Sequence, residues 1–487
     1  MRSVILLACC ATFLPARAPA QAAKADSTDP YLWLEDVHGD RAMAWVKAEN
    51  AKTAAVLEKD PRWEGIYKAA LAMAQAKDRL TYVNYIGGEL YNFWEDSAHV
   101  RGIWRKTTLE SFRTASPKWT TVLDLDALAK AEKANWVFHG YTCQQPAEKR
   151  CLIDLSDGGE DASTVREFDL ASRSFVKDGF YLPKGKQRVA WTSQDTILVA
   201  REWNPGEVTS SGYAFIVKKL ARGKQLTDAV EIFRGSANDG GYGVSPQTLV
   251  DAAGHRFSFI VRPTSTFEAE HYIVRPKDVV RLAIPAKGNL SELINGQVIV
   301  HLYENWKNGS TTIREGSVAA FDGKTALKTP DALAPVVVFE PGPREAVEGV
   351  SATRDKLLID IMQNVKGKVL VATRAPNGSW SRTPMSLPDN VSTNVVGTNP
   401  KTNEAFISVT GFLTPSSIWF ADAARGTASQ LKTLAPRFDA SHAVVEQMEA
   451  TSKDGTKVPY SLCIRSRWPA MAPTRRFSTR TAGSTPR

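Results

Sequence analysis

The sequence lacks the short motifs that mark most metal, redox and nucleotide sites. There is no H-E-x-x-H, no C-x-x-C, no P-loop and no Rossmann G-x-G-x-x-G in its 487 residues. Metal ligation, thiol redox chemistry and phosphate binding each depend on such a constellation of side chains. The run "SDGGED" pairs acids with glycines, but without a repeated loop it favours a hairpin turn over a calcium site. We therefore expect no cofactor and no metal.

Long apolar runs are also missing, because no segment reaches eighteen apolar residues. A helix that crosses a membrane needs about 20. The chain begins with a mostly apolar run from Val4 to Leu14, followed by small residues that end in Ala18-Pro19-Ala20. This pattern predicts a secretory signal at residues 1–20, cleaved after Ala20, and a soluble mature chain that is periplasmic or secreted.

A membrane anchor and a lipid attachment site are the two alternatives to a cleaved signal. A short membrane anchor is one, but the apolar run of eleven residues is too short to span a bilayer. Lipid attachment at Cys9 or Cys10 is the other, and too little apolar sequence precedes either cysteine. Export with cleavage is the interpretation we carry forward.

The net charge of +9 says little about partners, because of where it lies. A basic protein normally suggests nucleic acid or an anionic membrane. Six of the positive charges are arginines after Ile464, and Arg2 and Arg17 belong to the predicted signal. The rest of the chain is close to neutral. We expect no nucleic acid as a partner, and no membrane after the signal is removed.

Cysteine is scarce, with five residues in all. Cys9 and Cys10 fall in the predicted signal, and Cys463 lies near the end of the chain. Cys143 and Cys151 flank "QQPAEKR" between two strand-like runs, so a hairpin would bring them together. An oxidising compartment would let them form a disulfide. The alternative is two unpaired, half-buried thiols.

Helical periodicity is confined to the first part of the chain. Between Asp29 and Asp78 apolar residues recur at i, i+3, i+4 and i+7, which predicts a helical N-terminal segment over 29–78. The apolar stripe consists of Trp63, Ile66, Tyr67, Ala70 and Met73. From Arg79 to Val445 short alternating runs are separated by turn residues, which predicts antiparallel strands.

The strand region of 367 residues is too long for one ordinary sandwich. Division by seven gives about 52 residues per unit, close to the roughly 40–50 residues of a four-stranded propeller blade. The segments "NWVFHGYTCQQPAEKRCLIDLS" and "QRVAWTSQDTILVARE" fit successive inner hairpins. A seven-bladed β-propeller over 79–445 is thus the predicted fold, with two stacked β domains as the alternative.

Four stretches, in order, resemble landmarks of the prolyl oligopeptidase family of serine peptidases. They are "DPYLWLEDVHGDRAMAWVKAEN", "RCLIDLSDGGEDASTVREFDL", "GFLTPSSIWFAD" and "EATSKDGTKVPY", and the likeness runs from Asp29 to about Tyr460. In that family a seven-bladed propeller caps an α/β-hydrolase domain built from both ends of the chain. The resemblance implies that helices 29–78 belong beside such a domain, that 446–463 form its first strand, and that short peptides are cleaved after proline or a related residue.

The catalytic triad that the resemblance implies is not found in the sequence. The family's serine lies in a G-x-S-x-G turn, where glycines permit a strained strand-to-helix elbow. No such motif occurs, and the partial match Gly243–Gln247 lacks the second glycine and has Pro246 where a helix should start. The family's aspartate and histidine follow the serine, so they would fall beyond Arg487. We predict no catalytic residue in this chain.

The seven histidines are scattered through helix and strand patterns, and we expect none of them to act as a catalytic base. They are His38, His99, His139, His255, His271, His301 and His442. Two functions remain open: a serine peptidase by ancestry that is inactive as written, or an exported, non-catalytic propeller that binds peptides or serves as a scaffold. Exposed N-terminal helices would also favour self-association.

Residues 464–487 differ from the rest in having six arginines, no acid and no alternation. The family has a segment resembling D-G-x-N-P-T-L-L-Y-x-Y-G-G-F at this place. With suitable synonymous codons for Pro473 to Ser484, removal of two bases restores N-P-T-L-L-Y-A-Y-G-G-F. The tail is therefore interpreted as frameshifted sequence. The alternative is a divergent extension.

Overall fold

The fold was obtained as a computed structural model, which describes residues 29–36, 39–239, 241–436 and 438–465. The predicted signal at 1–20 and most of the predicted frameshifted tail lie outside the described residues. Contacts divide the chain into two compact units, Met1–Ala76 and Lys77–Arg487. No helix of the described ranges is long and apolar enough to cross a membrane.

The described residues of the first unit, 29–36 and 39–76, are mostly helical, as the sequence predicts. They include one 3₁₀ turn, Leu32–Glu35, and the helices α1 (Asp40–Leu57) and α2 (Trp63–Ala74). Alanine is frequent in both helices and has the highest intrinsic helix propensity. The apolar stripe of α2 is exposed, and the exposed fraction is 62% for Ile66 and 71% for Met73.

The second unit begins with three blades whose strands follow one another in sequence. Blade 1 has β1 (Asn84–Ile86), β2 (Glu89–Trp94), β3 (Ile103–Thr107), the short helix α3 (Leu109–Arg113) and β4 (Thr120–Asp124). Helix α4 (Leu125–Glu132) leads to blade 2, with β5 (Trp136–Cys143), β6 (Arg150–Asp157), β7 (Ser163–Asp169), β8 (Ser174–Phe175) and β9 (Tyr181–Gly185). Blade 3 has β10 (Arg188–Ser193), β11 (Thr196–Ala200), β12 (Ile216–Ala221), a 3₁₀ turn (Leu226–Asp228) and β13 (Val230–Arg234).

Four further blades complete the ring. Blade 4 has β14 (Ser245–Val250), β15 (Arg256–Pro263), β16 (Ala269–Val274) and β17 (Val279–Arg281). Blade 5 has β18 (Gly288–Ile294), β19 (Gln297–Leu302), a side hairpin of β20 (Trp306–Asn308) and β21 (Thr311–Ile313), then β22 (Val318–Asp322), helix α5 (Gly323–Lys328) and β23 (Val336–Phe339). Blade 6 has β24 (Glu345–Ala352), β25 (Leu357–Gln363), β26 (Lys366–Arg374) and β27 (Trp380–Pro384). Blade 7 has β28 (Ser392–Thr398), β29 (Glu404–Thr410), β30 (Ser417–Asp422) and β31 (Thr427–Thr433).

The seven sheets confirm the predicted seven-bladed propeller, and the two predicted inner hairpins are β5–β6 and β10–β11. The three short helices were not predicted. Each begins at a Thr or Asp whose side chain accepts a hydrogen bond from a backbone N–H of the first turn. The N-cap residues are Thr108, Asp124 and Asp322.

The turns that follow the first strands of neighbouring blades meet one another. The Gly87 N–H of blade 1 donates to the carboxylate of Glu148 in blade 2 over 2.8 Å, and the Gly296 N–H of blade 5 donates to Asp251 of blade 4 over 2.7 Å. The inner strands therefore run in the same direction. We call the side of the propeller where they begin the entry face, and the opposite side the far face. Because each blade has an even number of main strands, β1 begins and β31 ends at the entry face.

The core lies between blades. Seven apolar clusters correspond to the seven blade-to-blade junctions. At the junction of blades 7 and 1, Tyr85 and Phe112 pack against Phe406, with ring centroids 5.5 and 5.8 Å apart. In the described residues every blade sheet contains only its own strands, so the ring is closed by side-chain packing and hydrogen bonds.

A hairpin follows the propeller, in the region that the sequence assigns to the first strand of a hydrolase domain. It consists of β32 (Ala443–Thr451) and β33 (Lys457–Arg465), with nine paired residues in unbroken register. Gln447 donates to the Asn364 carbonyl of blade 6 over 2.6 Å, and Glu449 forms an ion pair with Arg344. These contacts tie the hairpin to blade 6.

Candidate functional site

The described histidines fall into three environments, and His38 lies outside the described residues. His271 and His301 are buried, and burial lowers the pKa of each to about 4, so both are neutral at pH 7. His139 and His442 are exposed. The remaining two form pairs with aspartates.

Each pair resembles the histidine and aspartate of a catalytic triad, in which the aspartate orients the histidine, but lacks the nucleophile. His99 Nδ1 lies 3.0 Å from Asp96, and His255 Nδ1 lies 2.8 Å from Asp251. Each aspartate also accepts a hydrogen bond from the backbone N–H of its own histidine. A catalytic base needs a serine or similar group within hydrogen-bond reach, and no hydroxyl contacts either ring in the described residues. These pairs stabilise turns.

The partial nucleophile motif is an ordinary strand start. Ser245 is the first residue of β14, is half-buried and pairs with Val261 of β15. A nucleophile elbow requires a sharp turn from strand into helix, whereas the chain here continues as an inner blade strand. Ser245 therefore does not present its hydroxyl as the motif requires.

The cysteine pair and the acidic turn both lie in blade 2. Cys143 and Cys151 face each other across β5 and β6 and are joined by a disulfide bond, while Cys463 is free and exposed. The segment 156–161 forms the turn between β6 and β7. Within the described ranges, no group of three or more His, Cys, Asp or Glu side chains is placed to hold a metal ion.

A cavity of about 230 Å³ opens at the entry face, where the first strands of blades 3 and 4 begin. We call it the entry cavity. Loops of blades 2, 3 and 4 supply its walls. The lining residues are His139, Asp161, Lys186, Gln187, Arg188, Ala200, Tyr213, Ala214, Tyr242 and Val244.

The charges in the entry cavity are only partly matched. Asp161 accepts a hydrogen bond from the Tyr213 hydroxyl over 3.0 Å and lies 3.6 Å from the Lys186 ammonium. The hydrogen bond to Asp161 raises the pKa of Tyr213. The Arg188 guanidinium makes one hydrogen bond within the described residues, 3.5 Å to the Tyr242 carbonyl. Arg188 is exposed, and most of its donors have no protein partner among the described residues.

This arrangement suits a peptide rather than a chemical step. Arginine and tyrosine donors can bind backbone carbonyls, and aromatic faces pack well against proline rings. Tyr242 has 48% of its surface exposed and is available for such contact. The cavity has no paired nucleophile and base.

The entry cavity was not predicted, although the sequence contains a repeated Gly-Tyr pattern that indicates it. Two Gly-Tyr pairs, Gly212-Tyr213 and Gly241-Tyr242, each follow a polar run and precede a strand. Both glycines have positive φ, 76° and 81°, a conformation that glycine adopts without strain. The repeated turn places a tyrosine at the entry face in each case.

Comparison with known proteins agrees with the fold. The sequence matches the profile of the prolyl oligopeptidase N-terminal β-propeller domain over residues 16–433. It is 40% identical to an uncharacterised peptidase, y4nA, of Sinorhizobium fredii over 92% of this chain and 62% of that protein. It is 27% identical to an uncharacterised peptidase, RP174, of Rickettsia prowazekii over 89% of this chain and 62% of that protein.

A solved structure with a similar fold is a post-proline cleaving enzyme from Rickettsia typhi. It superposes with a TM-score of 0.81 at 26% identity, over 90% of this chain and 65% of that one. The chain thus spans 62% of the length of both curated peptidases that it matches. The seven blades, the profile match over most of the sequence and the 40% identity show that this chain belongs to the prolyl oligopeptidase family and carries its N-terminal β-propeller domain.

Proposed function

We propose that this chain is the exported, peptide-binding propeller portion of a post-proline-cleaving serine peptidase, and that it binds short peptides at the entry cavity without hydrolysing them. The observation that carries the proposal is the entry cavity itself, which is lined by the exposed Arg188 together with Tyr213 and Tyr242. Family membership and the similar post-proline cleaving enzyme support the substrate class. The apolar run at 4–14 supports export to the periplasm or beyond.

Position also favours this cavity as the peptide site. The propeller begins and ends at the entry face, so any part of a longer family protein that follows β31 attaches on that side. A peptide held there lies on the side of the attached domain. The nucleophile, base and acid of hydrolysis would come from residues outside these 487, since the sequence has no G-x-S-x-G.

The test is calorimetric titration of the purified chain with acetyl-Ala-Gly-Pro-Ala-amide, which has no charge of its own. We expect saturable binding that weakens at least about tenfold in Arg188→Gln, the size expected when a charge-assisted hydrogen bond is lost. Arg425→Gln is the matched control, because Arg425 is 82% exposed and remote from the cavity lining. Equal affinity in Arg188→Gln and the parent contradicts the site.

The second candidate function is a non-catalytic propeller that acts as a peptide-binding module or scaffold. It predicts the same binding at the entry cavity and differs only in whether a hydrolase is encoded with it. The nucleotide sequence beyond the Tyr460 codon separates the two. A restored frame that encodes G-x-S-x-G favours the peptidase, and its absence favours the scaffold.

A further inference from the structure

A second cavity lies at the far face, between the outer strands of blades 5 and 6, and has a volume of about 670 Å³. We call it the rim cavity. Its walls come from β23 with the ends of β19 and β22 on one side, and from the β26–β27 turn on the other. The lining residues are Gln297, Asp322, Ala334, Val336, Val337, Arg374, Asn377, Gly378, Ser379 and Trp380.

Two side chains of this wall have hydrogen-bond donors without acceptors. Arg374 and Trp380 are directly paired across β26 and β27, so their side chains lie on the same face of the hairpin. Trp380 is 8% exposed, and its Nε1 is buried without a partner. Arg374 Nε is also buried without a partner. Buried donors are normally paired, so two unpaired donors in adjacent side chains are an unusual feature of this wall.

In the described part of the chain, the Arg374 guanidinium interacts electrostatically with Asp322, whose pKa its positive charge helps to lower. It makes no hydrogen bond with described residues, and no carboxylate oxygen of theirs lies within ion-pair distance of it. Its terminal nitrogens are not among the buried unpaired atoms, so they remain accessible from the cavity. Arginine has five donors and cannot lose its charge in a protein. This group therefore offers a ready fork for a planar anion.

The acidic side chain of the rim cavity, Asp322, already accepts hydrogen bonds from neighbouring residues. Asp322 Oδ1 accepts hydrogen bonds from the Thr325 N–H and hydroxyl at 2.7 and 2.8 Å, which caps α5. Asp322 Oδ2 accepts from the Gln297 amide at 3.3 Å. Burial would raise the pKa of Asp322, but the hydrogen bonds from Thr325, together with the charges of Lys324 and Arg374, lower it. Asp322 is ionised, and its hydrogen-bonding capacity is used within the fold.

The outer strand of blade 5 gives the rim cavity an apolar wall. Val336 and Val337 at the outer strand of blade 5 are 41% and 39% exposed. Arg382 donates to the Val338 carbonyl over 2.7 Å, which joins the two walls. In the opposite turn, Asn377 accepts hydrogen bonds from both the N–H and the hydroxyl of Ser379. The walls are thus held by their own bonds.

We propose that the rim cavity binds a carboxylate carried on a small aliphatic group, as found at the carboxyl terminus of a peptide ending in leucine or valine. The carboxylate would accept two parallel hydrogen bonds from the terminal nitrogens of the Arg374 guanidinium, which is a geometry that arginine favours. The aliphatic group would cover Val336 and Val337 and remove their surface from water. The volume suits a ligand of one to three residues. This site is separate from the entry cavity and does not depend on the proposed peptidase function.

The experiment is calorimetric titration of the purified full chain with acetyl-Ala-Leu bearing a free carboxylate, and with acetyl-Ala-Leu-amide. We expect the free acid to bind saturably and the amide to bind at least about tenfold more weakly, because the amide cannot form the charge-assisted fork. Arg374→Gln should abolish binding of the acid, and Val337→Ser should weaken it. Arg425→Gln, an exposed arginine outside the cavity, should leave it unchanged.

Further arms identify the source of the carboxylate. If acetyl-leucine binds as tightly as acetyl-Ala-Leu, the site takes small aliphatic acids, and if only the dipeptide binds it takes peptide termini; both results support the proposal. The proposal is overturned if the amide binds as well as the acid, if Arg374→Gln binds like the parent, if inorganic phosphate binds more tightly than either acid, or if no saturable binding occurs at millimolar concentration.

Discussion

Ionisation of the Asp360 side chain lowers the free energy of unfolding, because the folded state buries it. It lies in β25 of blade 6, is 4% exposed, and accepts a hydrogen bond from the Val395 N–H of blade 7 over 2.8 Å. Its other oxygen is buried without a partner. Burial raises the pKa of Asp360 to about 6, and the nearby Glu348 adds to the effect. The folded state therefore binds a proton here more tightly than the unfolded state does.

This shift predicts how stability depends on pH. Because the folded pKa lies above the unfolded value of about 3.9, stability should fall as pH rises through the window from about 4 to 6, and the penalty is complete above it. Asp360→Asn keeps an acceptor for Val395 and cannot ionise. The variant should gain up to about 3 kcal/mol over the parent at pH 8, and the gain should vanish near pH 4.

Urea unfolding of both proteins at pH 4.5 and pH 8 measures this difference. Asp389→Asn is the control of opposite sign, since the hydrogen bond from Lys366 and the Asn390 N–H lower the pKa of the exposed Asp389. Its replacement should lower stability slightly at pH 8. A pH-independent effect of Asp360→Asn would show that its charge carries no penalty.

The raised pKa of Asp360 and the unpaired buried donor of Arg374 could not be predicted from the sequence. Their properties depend on which groups of a neighbouring blade face them, and blade-to-blade contacts join residues far apart in the chain. The pairing of Cys143 with Cys151 is easier to predict than a contact between blades, because the two residues are close in sequence and lie on a single hairpin. Local geometry is readable from sequence, whereas the partners of a buried charge are not.

At the scale of elements, the inner strands repeat a feature that marks the blades. Five of them carry a bulge, and three of the bulges follow an apolar-x-Gly pattern. The three runs are Phe138-His139-Gly140, Val347-Glu348-Gly349 and Val395-Val396-Gly397. The bulge adds twist where strands converge on the axis. The length of the strand region therefore predicts seven units, whereas the apolar-x-Gly pattern is a weak signature because four blades lack it.

The β5–β6 hairpin gives a prediction at the same scale. A disulfide that closes this short loop should stabilise the fold by about 2–3 kcal/mol in the chain-entropy model. Reduction should lower the melting temperature of the parent and leave that of Cys143→Ser/Cys151→Ser unchanged. In mass-spectrometric alkylation, Cys463 should react before reduction and Cys143 and Cys151 only after it. Alkylation of all three without reductant contradicts the bond.

The junction of blades 7 and 1 gives a second prediction about the stability of these elements. Phe406 is fully buried, and its ring lies 5.5 to 5.9 Å from those of Tyr85, Phe112 and Phe420. Since packing and hydrogen bonds close the ring there, Phe406→Ala should cost about 3–5 kcal/mol of unfolding free energy. Phe412→Ala in the same blade is the control, because Phe412 is 51% exposed and should cost less than about 1 kcal/mol. Equal effects of the two variants in urea unfolding would contradict this account of closure.

At the scale of the whole molecule, we propose that the exposed stripe of α2 mediates association between copies. Ile66, Tyr67 and Met73 are each more than half exposed, and apolar surface of this kind promotes contact with other proteins. Ile66→Lys with Met73→Lys should shift the chain toward monomer in size-exclusion chromatography with light scattering. Lys68→Gln on the same helix should not. A parent that is already monomeric at high concentration would remove the prediction.

Our central proposal is that this family member binds peptides without cleaving them. Intact-mass measurement after incubation with a fluorophosphonate probe tests it most directly, because the probe reacts covalently with activated serines. The account predicts that the purified chain keeps its original mass and that a Gly-Pro chromogenic peptide stays uncleaved alongside. One probe adduct per chain, at a single serine, would contradict it.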